Sequence, residues 1–176
     1  MTMRRALAWV TAAALSAAVV GAQQNWAQVG QDSGATKYST LDQINTGNVK
    51  TLQRAWTFHT GDKSGFFEST PLMIDGTLYV TTATNTYAID ARTGEQRWVH
   101  HFEPKSLGIG TPVRGVGYGG GRLFRGTPDG HLLALDARTG KVIWDVIGTD
   151  ATIGEYYTAA PTAALRGSRS LRLPKQ

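Results

Sequence analysis

Few side chains in this sequence can do chemistry, and their types and spacing narrow what that chemistry could be. There is no cysteine among the 176 residues. This excludes disulfides, a thiolate metal site and haem attachment through C-x-x-C-H. Four histidines (His59, His100, His101 and His131) could ligate a metal or carry a proton, but none has further ligands at a metal-binding spacing. They read as strand or solvent-facing residues. Two aspartates, Asp90 and Asp136, recur in AIDARTGEQRW (88–98) and ALDARTGKVIW (134–144), which agree at seven of eleven positions. A carboxylate just before Thr-Gly is suited to accept the N–H groups of a turn, so the repeated aspartates read as architecture. No catalytic residue and no metal ligand is assigned to this chain.

The repeat also defines the elements. Trp56, Trp98 and Trp144 are 42 and 46 residues apart, a period that signals propellers or arrays. In the first unit TPLMI (70–74) meets the hairpin signal Asp75-Gly76, followed by TLYVTTA (77–83), a turn at Thr84-Asn85, TYAIDA (86–91), Thr93-Gly94 and EQRWVHH (95–101). In the second, VRGVGY (113–118), Gly119-Gly120-Gly121, RLFRGT (122–127), Asp129-Gly130, HLLALDA (131–137), Thr139-Gly140 and KVIWDVI (141–147) repeat the order. Four short antiparallel strands per unit make a β-propeller blade. The predicted fold is therefore all-β, with two full blades and part of a third. Ala88 and Ala134 are small where blades pack closely. Trp98 and Trp144 bring area to bury between blades and an indole N–H that needs an acceptor. Upstream, 25–56 has few strand runs; a short helical turn near Thr46-Gly47-Asn48 leads into an expected strand, QRAWTFHT (53–60).

Charge and hydropathy set the context. The formal charge is +5, from 18 Lys and Arg against 13 Asp and Glu. Arg4 and Arg5 lie near the start, and Arg166, Arg169, Arg172 and Lys175 near the end; removing these six from 18 leaves 12 basic against 13 acidic residues. A body without a basic stripe argues against nucleic-acid binding. MTMRR, the apolar ALAWVTAAALSAAVV and Val20-Gly21-Ala22 read as a secretory signal over 1–22. Its apolar run is short for a span, so no stable membrane span is expected and the expected location is the periplasm.

Several segments together resemble the periplasmic quinoprotein dehydrogenases of the alcohol and glucose type, which use pyrroloquinoline quinone (PQQ). They are GATKYSTLDQINTGNVKTLQRAWTFHTGD (34–62), ESTPLMIDGTLYV (68–80), RGVGY (114–118), GTPDGHLLALDARTGKVIWD (126–145) and GEYYTAAP (154–161). The repeat motif alone is shared with non-enzymatic propellers; the opening segment with ESTP is more specific. The resemblance implies an eight-bladed propeller with PQQ on its axis and a Ca²⁺ or lanthanide polarising a quinone carbonyl. It also implies a small alcohol or sugar substrate and a periplasmic electron acceptor. Three residues match the family's cofactor contacts. Glu68 matches a Glu at the PQQ rim, Arg114 an Arg near the quinone oxygens, and Thr158 a Thr bonded to a PQQ carboxylate. Read without the family, they are a loop acid, a surface Arg and a strand Thr. Where many members have adjacent cysteines before the Arg, this chain has Gly110-Thr111-Pro112-Val113.

The expected organisation is a signal peptide at 1–22, a ring-closing segment at 23–66, propeller blades at 67–164 and a basic tail at 165–176. The family's metal ligands and catalytic base fall beyond the matched segments. The expectation is thus an N-terminal part of a PQQ-dependent dehydrogenase, inactive alone. A non-catalytic propeller scaffold is the alternative, weakened by the lack of a lipid-bearing Cys.

Overall fold

The computed structural model describes residues 25–63, 67–105 and 112–163. The leader assigned to 1–22 and the tail assigned to 165–176 lie outside them. The described strands form two four-stranded antiparallel sheets. The first has the order β1 (Leu72–Ile74), β2 (Thr77–Thr81), β3 (Asn85–Asp90), β4 (Gln96–His101). The second repeats it with β5 (Gly117–Gly119), β6 (Arg122–Gly126), β7 (His131–Asp136) and β8 (Val142–Ile147). These are two propeller blades.

Turn chemistry explains the meander. Asp75 and Gly76 both have positive φ, 47° and 72°, and so do Gly120 and Gly121, 57° and 74°. Two successive left-handed residues match the right-handed twist of a hairpin. The repeated aspartates work in the same way in both blades. Asp90 Oδ1 accepts the N–H of Arg92 at 2.9 Å and of Thr93 at 3.1 Å. Asp136 Oδ1 accepts the N–H of Thr139 at 2.8 Å. The register also shifts at the same place in each, between Ala88 and Ile89 and between Ala134 and Leu135. This local bulge leaves Trp98 opposite Ala88 and Trp144 opposite Ala134.

The core lies between the blades. Leu72, Ile74, Tyr79 and Ala88 of the first sheet pack with Val116, Leu123, Leu133, Leu135 and Ala137 from β5 to β7 and their flanks. Trp98 and Tyr79 both donate to the carbonyl of Ala137, at 3.1 and 3.0 Å. A Cβ added to Gly140 would sit 2.5 Å from Trp98 Cε3. The indole therefore needs glycine beneath it as well as a carbonyl beside it. Trp56 treats the first blade in the same manner: its indole donates to Ala91 O at 3.2 Å, and a Cβ on Gly94 would lie 2.6 Å from its ring.

Three sequence expectations change. The 53–60 segment packs Trp56 and Phe58 against Val80, Tyr87 and Ile89, but it joins no sheet among the described residues. Packing and the Tyr87 hydroxyl, which donates to Thr60 O at 2.9 Å, hold it there. β3 starts at Asn85 rather than after it. β1 and β5 are shorter than 70–74 and 113–118, because the preceding backbone groups are used across blades, as described next. The N-terminal stretch clips onto β1: Trp26 and Met73 exchange backbone bonds at 2.7 and 3.0 Å.

Candidate functional site

The residues just ahead of β1 and β5 meet at one place, together with Thr158. Pro71 has no N–H to give a ladder. Thr70 gives its own N–H to Arg114 O, 3.1 Å away, just ahead of β5. Arg114 gives its N–H in turn to Thr158 O at 2.9 Å. Thr70, Arg114 and Thr158 are each 44 residues from the next, so one backbone position per repeat forms this chain of bonds. Gly115 makes the approach possible: its φ is 125°, and a Cβ there would lie 2.9 Å from Thr70 O.

This backbone arrangement places the side chains. Arg114 Nε lies 3.3 Å from Glu68 Oε2, and the two side chains are 50% and 45% exposed. The pair is therefore open to solvent and available to a ligand. Among the described residues, the terminal guanidinium nitrogens of Arg114 and the hydroxyl of Thr158 make no hydrogen bond. Thr158 is half-buried. The structure thus joins two of the three expected residues through side chains and the third through the backbone. The loop at Glu68 is pinned by its neighbour: Ser69 Oγ accepts the Thr81 N–H at 3.0 Å.

Other titratable groups are committed elsewhere. His131 Nδ1 pairs with Asp145 at 2.7 Å and His101 Nδ1 with Asn85 Oδ1 at 2.8 Å. Burial pushes the His100 pKa down, assisted by the Arg125 charge. No group of three His, Asp or Glu able to hold a metal occurs among the described residues. The strand reading passed over Arg125 in β6, whose side chain is fully buried. It donates to Thr86 Oγ1 at 2.8 Å and to the carbonyls of Thr82 and Ala83 at 3.0 and 2.5 Å. Burial pushes its pKa down to about 10, against the fields of Asp62 and Asp129, so it stays a cation that staples the two blades. Its position inside a strand, rather than any motif, makes it structural.

The residue types at the meeting point are ones that can hold an anion. A guanidinium offers paired donors to a carboxylate, a hydroxyl adds another donor, and Glu68 orients the guanidinium. The family model for the β-propeller domain of glucose, ethanol and alcohol dehydrogenases that use PQQ matches residues 26–154. The chain belongs to this PQQ dehydrogenase family. It is 38% identical over 160 residues to the dehydrogenase subunit of the quinone alcohol dehydrogenase of Acetobacter aceti, covering 85% of this chain and 21% of that protein. The quinohemoprotein alcohol dehydrogenase structure from Comamonas testosteroni superposes with a TM-score of 0.72 at 35% identity, over 81% of this chain and 22% of that one. A europium-containing methanol dehydrogenase gives 0.72 at 34% identity, over 80% and 26%. The chain spans about a fifth to a quarter of the length of these relatives. The family's propeller is the fold in which the two blades belong.

Proposed function

We propose that this chain supplies the first cofactor-facing blades of a PQQ-dependent dehydrogenase, with Glu68, Arg114 and Thr158 forming part of the PQQ rim. The observation that carries this reading is the Glu68–Arg114 contact at 3.3 Å beside the Arg114–Thr158 backbone bond of 2.9 Å. The donor set fits the group. PQQ bears three carboxylates, and the rim offers an exposed guanidinium and an uncommitted threonine hydroxyl among the described residues. When bound, PQQ supplies the two-electron acceptor for oxidation of an alcohol or sugar hydroxyl. Arg114 holds anionic oxygen and balances negative charge gained on reduction. Glu68 holds Arg114 in register. Thr158 fixes a carboxylate edge.

The proton acceptor for the substrate and the ligands of a Ca²⁺ or lanthanide belong, in this reading, to other parts of the propeller. The similarity to alcohol dehydrogenases favours an alcohol over a sugar. The proposed site of action is the periplasm, where electrons pass to a soluble or membrane-bound acceptor. The chain alone, given PQQ and Ca²⁺, is expected to reduce no dye above a PQQ-only control. Equilibrium dialysis tests the binding claim. Wild-type chain should retain PQQ, and Arg114→Ala should weaken retention about 10-fold, the loss of one charge-assisted pair. Equal retention by both would remove Arg114 from the rim.

A further inference from the structure

We infer that Thr81 is the positioning residue for the Glu68–Arg114 pair. It is the last residue of β2 and is fully buried. Its N–H donates to Ser69 Oγ at 3.0 Å, and its own hydroxyl oxygen lies 3.1 Å from Ser69 Oγ and 3.5 Å from Val113 O. Ser69 directly follows Glu68, and Val113 directly precedes Arg114. A single buried side chain therefore touches the neighbours of both rim residues.

The Thr81 hydroxyl has an acceptor on each loop. A hydroxyl donates once and accepts up to twice. Ser69 Oγ accepts from both the Thr81 N–H and the Thr81 hydroxyl, and Val113 O lies within reach of the same hydroxyl as an alternative acceptor. A fully buried strand position is one where valine would serve for packing alone, because burying a hydroxyl costs free energy unless it is bonded. The bonds here run to the two loops that carry the rim, not to the strand's own ladder.

The second blade confirms that this is no general feature of the repeat. Tyr79 faces Ala88 as Phe124 faces Ala134, so Thr81 corresponds to Gly126. There the overlying segment is held by an aromatic ring on bare backbone: a Cβ on Gly126 would lie 2.3 Å from Tyr157 Cβ. The hydroxyl tie belongs to the first blade, where the Glu68 and Arg114 loops adjoin.

Thr81's importance to the cofactor rests on the proposed PQQ rim; the tie itself does not. The test uses the full chain with Thr81→Val, which keeps shape and removes the hydroxyl, and Thr81→Ser, which keeps the hydroxyl. Amide exchange is read at Thr70 and Arg114, whose N–H groups make the cross-blade bonds, alongside melting temperature and PQQ dialysis. Thr81→Val should speed exchange at these two amides about 10-fold beyond any global change. It should also weaken PQQ retention about fivefold, while Thr81→Ser stays within about twofold of wild type on both. Unchanged exchange in Thr81→Val, or identical behaviour of Val and Ser, overturns the inference. Should Thr81→Val fail to fold, Ser69→Ala removes the Thr81–Ser69 bonds from the loop side and should speed exchange at the Thr70 amide by the same factor, and unchanged exchange there overturns the inference. Faster exchange without PQQ binding by any variant, wild type included, would sustain the tie and remove the rim reading.

Discussion

Arg114 Nε stands 3.3 Å from Glu68 Oε2, and both side chains remain about half exposed. Two loops that are 46 residues apart in sequence thus present one charge pair to solvent. An exposed pair contributes about 0.2–1 kcal/mol to folding, too little to account for the backbone bonds that hold its loops together. The proposed role of the pair is therefore ligand contact rather than folding.

Stability and ligand binding should therefore separate at this site. Glu68→Gln and Arg114→Ala should each move the urea-unfolding free energy by less than about 1 kcal/mol. A loss of several kcal/mol in either variant would make the pair a structural element.

Gly115 should be far less tolerant. Its φ of 125° and the 2.9 Å approach of a would-be Cβ to Thr70 O leave no room for a side chain. Gly115→Ala should destabilise the chain by about 1–3 kcal/mol and expose the Thr70 amide to exchange. Wild-type protection of that amide in the variant would contradict the geometry.

The tryptophans should differ although the repeat treats them alike. Trp98 spans two blades and donates to Ala137 O, whereas Trp144, on the outermost strand β8, has a ring contact to Phe124 at 6.0 Å within its own sheet. Trp98→Ala should cost about 3 kcal/mol, and Trp144→Ala about 1 kcal/mol, the value of a partly exposed ring. Gly140→Ala should cost about 2–4 kcal/mol, from left-handed backbone strain and the displaced Trp98 ring. Denaturant curves of the three variants rank them directly.

Much of this was legible because it rests on residue types. Asp-Gly, Gly-Gly and Thr-Gly mark turns, and the recurring Trp marks the blade, so two sheets and their strand order follow from the repeat. What stayed hidden depends on backbone. Thr70, Arg114 and Thr158 share a 44-residue spacing, but two threonines flanking an arginine make no recognisable side-chain repeat. What they share is a main-chain N–H and C=O, which no side-chain motif records. The same holds for the shortened β1 and β5. The 53–60 segment has a strand's alternation, and its apolar face packs as expected, but alternation cannot say whether a neighbour exists to pair with. Arg125 was missed because a charged residue in a strand normally points to water. Its burial is intelligible only with the carbonyls of Thr82 and Ala83 in place.

Acid should loosen the blade turns. The Asp90 pKa falls from 3.8 to about 2, chiefly through the Arg97 guanidinium and then the Thr93 and Arg92 N–H groups. Asp136 is lowered too, chiefly by the Thr139 hydroxyl. A carboxyl with a depressed folded pKa stabilises above its unfolded value and loses that contribution as pH falls through the folded one. Stability should therefore drop between about pH 4 and 2, and Asp90→Asn should flatten that slope. An unchanged slope in the variant would take Asp90 out of the acid transition.

The central claim is that Glu68, Arg114 and Thr158 face one ligand, and mapping amide shifts during titration of the full chain with PQQ tests it most directly. The expected result is a cluster of changes at residues 68–70, 113–115 and 157–159, with the outer strands β4 and β8 unmoved. Shifts centred on β4 or β8, or no saturable shift at these three segments, would contradict it.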